Sequence, residues 1–142
     1  SIDTIGTDHA PHLAEEKEKA YTSCPSGMPS IQHSLPVLLT LSQECEIPLT
    51  RIASAFSEKP AEIFNIEDRG KLKEGYFADI VIVDLNGKED VSKENLAYKC
   101  GWSPYEGETF SCSIDTVLVG GVKAVDNGKL TGNKQGKKLK FN

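Results

Sequence analysis

The heptapeptide GTDHAPH, Gly6 to His12, brings together a carboxylate and two imidazoles immediately behind the run Ile2 to Thr7. These residue types suit metal-assisted hydrolysis. An aspartate can ligate a hard or borderline cation and also carry a proton to and from the water that attacks. The same residues equally suit an Asx-turn at the end of a strand, with Pro11 closing it. Spacing alone leaves both readings of Asp8 open. His9 and His12 are three apart, as on one face of a helical turn, but Pro11 between them favours a loop. D-H-x-x-H lacks the H-x-H pair and the glutamate of H-E-x-x-H, so each histidine reads equally well as a capping or hydrogen-bonded group. His33, in a helical stretch, reads as structural.

Two further stretches contain small residues at suggestive spacing. CPSGMPS, Cys24 to Ser30, would let backbone approach a ligand closely, and Ser30 is placed to cap a following helix. GKLKEG, Gly70 to Gly75, has the glycine spacing of a phosphate loop without the Lys-Ser/Thr that should follow, so it reads as a turn.

The elements that would position these groups change in texture along the chain. Up to about Ile66 the pattern is helical behind a first strand at Ile2 to Thr7. Met28, Ile31, Leu35, Leu38 and Leu39 form one apolar stripe, with Pro36 kinking that helix or marking its first turns. Leu49, Ile52, Ala53 and Phe56 follow Pro48 as a second amphipathic segment, and a short third one follows Pro60 and stops at Asn65. Beyond Asp68 the pattern is strand and turn. ADIVIVDL, Ala78 to Leu85, is a β-branched run, and Thr116 to Leu130 contains two hairpin signals, Gly120-Gly121 and Asp126-Asn127-Gly128. The expectation is a mainly antiparallel layer with no long helix between Tyr76 and Lys129.

Composition narrows the function classes. The chain has 142 residues and a net charge of −5, room for one ordinary domain or two small ones and too little for a closed (β/α)8 barrel of about 250 residues. No basic face indicates nucleic acid, and Lys134, Lys137, Lys138 and Lys140 read as a solvated tail. Cys24, Cys45, Cys100 and Cys112 make no C-x-x-C pair, which suggests a reducing, cytoplasmic setting. No apolar run is long enough to span a membrane, so the expectation is a soluble protein. The chain opens on Ser1 without an initiator methionine and reads as a piece of a longer one.

GTDHAPH followed by Glu15-Glu16-Lys17, then Pro25-Ser26-Gly27 and an apolar helix, resembles the last strand and following loop of dihydroorotases in the amidohydrolase superfamily. KPAEIFNIEDRGKLKEGYFADIVIVDL, Lys59 to Leu85, is similar to the segment where such chains leave the barrel for a small β-sandwich, and SPYEG with IDTVLVGGVKAVDNGKL is similar to the sandwich's end. The resemblance implies an α/β fold: residues 1–66 as the last strand and C-terminal helices of a (β/α)8 barrel, and residues 67–142 as the C-terminal part of the sandwich. It implies an enzyme that interconverts N-carbamoyl-L-aspartate and L-dihydroorotate in pyrimidine synthesis, with two zinc ions per site, acting as a cytoplasmic homo-oligomer on small molecules. Asp8 would then ligate zinc and serve as general base and acid. His12 would contact the substrate carboxylate, with Ser26 and Gly27 touching the substrate through their backbone; His9 receives no role. The family's H-x-H pair, bridging carboxylated lysine and two further histidines have no counterpart here. One ligand cannot make a zinc site that normally takes three or four, so the chain alone is expected to be inactive and to self-associate through its apolar stripe. Two alternatives stand beside this: an allantoinase or other cyclic-amide hydrolase, suggested by Met28 to Thr40, and a non-catalytic dihydroorotase-like partner subunit.

Overall fold

The α-helices end at Ile63 and the strands begin at Ile80 in the computed structural model, which describes residues 2–142. Helix α1 is a single turn, Ala14–Lys17, closed by the Glu16 carboxylate accepting the Leu13 amide at 2.9 Å. Helix α2 spans Ser34–Glu44. It starts later than the apolar stripe suggests. Met28 precedes Pro29, and a residue before proline is steered away from helical geometry; Met28 and Ile31 therefore lie outside the helix, 42% and 59% exposed. Pro36 falls in the first turn of α2, where a missing amide proton costs nothing. Ser30 does not cap this helix: its hydroxyl donates to Thr7 O instead, at 2.8 Å.

The second and third helical segments expected from the sequence form one continuous path. Helix α3, Leu49–Ala53, passes through a π-helical turn at Ser54–Glu58 into α4, Lys59–Ile63. The wide turn comes just before Pro60, whose ring would otherwise press on the carbonyl four residues back. The path stops at Asn65, in the left-handed region at φ 51°. Asn65 N–H bonds to Glu62 O and Ile66 N–H to Ala61 O, the pair of bonds that closes a Schellman turn.

The run Ile2 to Thr7, expected to be a strand, is not one. Its backbone is held by helix residues and side chains: Ile5 N–H reaches Ala55 O at 3.0 Å, and the Arg51 guanidinium donates to Ile2 O. An extended segment becomes a strand only beside another that offers a ladder, and among the described residues none flanks it.

Strands β1 (Ile80–Asp84), β4 (Ser113–Val119), β5 (Val122–Asp126) and β6 (Lys129–Leu130) form an antiparallel sheet in the order β1-β4-β5-β6, and β2 (Glu89–Asp90) pairs with β3 (Thr109–Phe110). Both anticipated hairpins are present. Val119 pairs with Val122 and Asp126 with Lys129, and the residues between have positive φ throughout, 56° and 84° at Gly120-Gly121, 48° and 71° at Asn127-Gly128. That is the geometry whose twist matches the strands it joins. The only helix between Tyr76 and Lys129 among the described residues is the 3-10 turn Lys93–Asn95.

The core sits between α2 and the β2–β3 pair: Leu39, Val91, Phe110 and Cys112 are buried together, with Leu35, Val83, Leu96 and Tyr105 packed around them. Burial pushes the Cys112 thiol above its usual pKa, which leaves it a small apolar filler. The lysine-rich tail is exposed but not free, since Glu67 N–H bonds to Lys140 O and Asn142 N–H to Asn65 O.

Candidate active site

Two loops separated in sequence are stitched together around Asp8. Ala10 N–H donates to Met28 O at 3.0 Å, and the Ser30 hydroxyl to Thr7 O. His9 acts as the staple: its Nδ1 accepts the backbone amides of Ser30 at 3.0 Å and Ile31 at 3.2 Å. An imidazole nitrogen that accepts carries no proton, so this contact puts the His9 proton on Nε2. Lys17 tightens the second loop from the other side, its ammonium donating to Pro25 O at 2.7 Å and Gly27 O at 3.0 Å.

Glycine is required where the loops touch. Gly27 has φ 95°, and a Cβ there would lie 2.6 Å from the Ala10 Cβ, closer than side chains can approach. The small residues of CPSGMPS thus let one backbone approach another.

The anticipated site residues fall within this pair of loops. Asp8 is exposed and has φ 42°, a left-handed conformation uncommon outside glycine and tolerated best by Asn and Asp. His12 is half-buried, its Nδ1 3.8 Å from Glu16 Oε2 one helical turn on. Ser26 and Gly27 are exposed at the tip of the second loop. A carboxylate open to solvent, an imidazole four residues on and a backbone edge beside them can bind a small polar molecule and exchange a proton with it.

His33 lies apart from that chemistry. It is fully buried among Tyr98, Tyr105 and Phe110, with Nδ1 3.2 Å from the Ser103 hydroxyl, and burial lowers its pKa from the usual 6.5. Its structural role follows from this packing.

Zinc, which the resemblance implies, needs three or four protein ligands. Among the described residues no three His, Cys, Asp or Glu side chains gather as a metal site. Asp8 would supply at most one ligand, so the residues present do not by themselves fit the metal. A cavity of about 320 Å3 lies elsewhere, between Arg69, Phe77 and the tail lysines, and shares no lining residue with the Asp8 loops.

Three contributors were invisible in the sequence: Lys17, the imidazole acceptor of His9, and Trp102, whose indole Nε1–H donates to His12 O at 2.8 Å. Each pairs with backbone of another segment, from 8 residues away for Lys17 to 90 for Trp102, and backbone partners leave no residue-type signature.

The amidohydrolase family pattern matches residues 1–125, and the chain belongs to the amidohydrolase family. Within that family it is similar to dihydroorotases. It is 37% identical over 127 residues to the dihydroorotase of Methanosphaera stadtmanae, covering 89% of this chain and 30% of that one. It is 38% identical over 122 residues to the dihydroorotase of Endomicrobium trichonymphae, covering 85% of this chain and 29% of that one. Among solved structures it resembles a D-hydantoinase (dihydropyrimidinase) from Thermus sp., with a TM-score of 0.84 and 29% identity over 95% of this chain and 31% of that one. The chain therefore spans just under a third of the length of these relatives. No helix among the described residues is long and apolar enough to cross a membrane.

Proposed function

We propose that this chain is the C-terminal portion of a dihydroorotase, residues 1–66 belonging to the catalytic barrel and residues 67–142 to a β-sandwich. The complete enzyme would interconvert L-dihydroorotate and N-carbamoyl-L-aspartate as a cytoplasmic homo-oligomer, and this portion alone would be inactive. The observation that supports the reading is the stitched pair of loops, which brings the segment carrying Asp8 and His12 against the segment that follows Ser26 and Gly27 in a chain similar to dihydroorotases.

In this reading Asp8 accepts a proton from the water that attacks the ring carbonyl carbon. As the new C–O bond forms and the ring C–N bond breaks, the same carboxyl returns that proton to the departing amide nitrogen. A carboxylate suits both halves because it can accept a proton and give it back, and Asp8 is open to solvent. His12 receives the substrate carboxylate, and the Ser26-Gly27 backbone lines the other side. Zinc would supply Lewis-acid activation in the complete enzyme, with its remaining ligands outside these residues.

The D-hydantoinase likeness favours a second reading, hydrolysis of a cyclic amide that has no ring carboxylate. Assaying the complete protein with L-dihydroorotate, N-carbamoyl-L-aspartate and hydantoin separates the two. Turnover of the first pair is expected; turnover of hydantoin alone would replace this function with the second.

A further inference from the structure

The Asp8–His12 loop is held unevenly along its length. At the Asp8 end it has the His9 staple, the Ser30 hydroxyl and the Ala10–Met28 bond. At the other end His12 N–H bonds only to Ala10 O, within the loop, and its side chain stands 3.8 Å from the partly exposed Glu16. Among the described residues, the indole of Trp102 makes the one hydrogen bond that ties His12 to a distant part of the chain, 90 residues away.

The segment that carries Trp102 is itself well fixed. The side-chain amide of Gln32 donates to Asn95 O and accepts from Ala97 N–H, both at 2.8 Å. Further along, the Ser103 hydroxyl meets buried His33, and Tyr98 packs against His9 with ring centroids 5.6 Å apart. The strap is thus anchored on both sides of Trp102, at the same approach to α2 that His9 clasps. An indole has a donor and no acceptor, and its apolar body favours a half-buried place with the polar tip on a fixed partner. Its bond goes to the His12 carbonyl, so it fixes the backbone and leaves the imidazole free.

We propose that Trp102 is a positioning residue: through the His12 carbonyl it sets where the His12 imidazole meets the substrate carboxylate. This rests on the dihydroorotase reading of His12. The residues on either side of Asp8 have their own stitches, so the loss of Trp102 should weaken binding and spare proton transfer.

The test is a double-mutant cycle in the complete enzyme, with Trp102→Phe, His12→Ala and both together, reading KM and kcat for dihydroorotate. Losing one hydrogen bond should raise KM about two- to tenfold in Trp102→Phe, with kcat within about twofold. In the His12→Ala background the same change should add no further rise, because the group it positions has gone. A structural role for Trp102 would not produce that non-additivity. An unchanged KM in Trp102→Phe beside a raised KM in His12→Ala overturns the proposal alone, as does an equal rise in both backgrounds. An unchanged KM in His12→Ala overturns the substrate reading and takes this proposal with it. If Trp102→Phe does not fold, replacement of Trp102 by β-(3-benzothienyl)alanine, which keeps the ring shape and removes only the donor, is judged by the same outcomes.

Discussion

The antiparallel sheet and the Asp8 loops are held by different kinds of bond. In the sheet, β1, β4, β5 and β6 pair backbone to backbone, and two tight turns set the register of β4 with β5 and of β5 with β6. The bulges opposite Ile82–Val83 and Val117–Leu118 shift the pairing without ending it. In the Asp8 loops a handful of side chains, His9, Lys17, Ser30 and Trp102, each clasp a backbone group of another segment. A ladder spreads its free energy over many equivalent bonds, so one substitution removes a small share. The loops depend on particular atoms, and a single substitution can displace a whole turn. Regions that carry chemistry are commonly built in this second way, on a scaffold built in the first.

The strongest way to break that contrast is to change the loop chemistry in the complete enzyme. In the dihydroorotase reading, Asp8→Asn keeps the shape and removes the proposed proton acceptor, so kcat should fall by about 10²- to 10⁴-fold. His12→Ala should act mainly on KM, because the proposed contact to a substrate carboxylate would exist before and during the reaction. Steady-state kinetics with dihydroorotate check both. An Asp8→Asn enzyme within a few-fold of the parent would remove Asp8 from the mechanism.

A glycine where helix and turn meet comes next in size. Gly70 has φ 84°, and a Cβ there would lie 2.5 Å from the Ala61 Cβ and 2.9 Å from Ser57 O. Gly70→Ala therefore combines an unfavourable backbone conformation with a clash against a helix that cannot yield locally. It should destabilise the protein by about 1–3 kcal/mol, read from the urea midpoint. Gly120→Ala, in an open hairpin turn with nothing within reach of the new methyl, should cost less, and an equal cost would erase the distinction.

A smaller effect should appear with pH. Burial lowers the His33 pKa in the folded state, so below about 6.5 the unfolded chain binds the proton more readily. Stability should fall as pH drops through that value and level off below the folded pKa. The side chains packed on His33 are Tyr98, Tyr105 and Phe110, with the Ser103 hydroxyl on its Nδ1, and none of them is a carboxylate or a cation. His33→Gln should flatten this part of the stability–pH curve.

The least effect belongs to the exposed cluster on α4. Hydrogen bonds from Lys59 and Lys71 hold the Glu62 carboxyl at about 2, but all three side chains are open to water, where screening and side-chain entropy offset the attraction. Glu62→Gln should leave the unfolding transition nearly unchanged and unchanged altogether in high salt. A large shift would mean that this surface pairing holds α4 in place.

Much of this molecule can be read from local sequence because local physics decides it. Gly120-Gly121 and Asn127-Gly128 allow the positive φ of tight hairpins, the β-branched run at Ile80 to Val83 favours a strand, and Asn65 stops a helix. The residue types of the candidate site were equally legible: Asp8 and His12 stand out by chemistry, and Ser26-Gly27 by size. Tertiary structure alone decided the rest. Ile2 to Thr7 reads as a strand, yet pairing requires a neighbouring strand, and its backbone bonds to Ala55 and Arg51 instead. Ser30 reads as a cap, yet its hydroxyl reaches Thr7. His9 and Trp102 gain their roles from backbone groups 21, 22 and 90 residues away. Every residue carries a backbone amide and carbonyl, so a side chain that bonds to one leaves no mark in the sequence of its partner, and only the folded chain shows which carbonyl Trp102 meets.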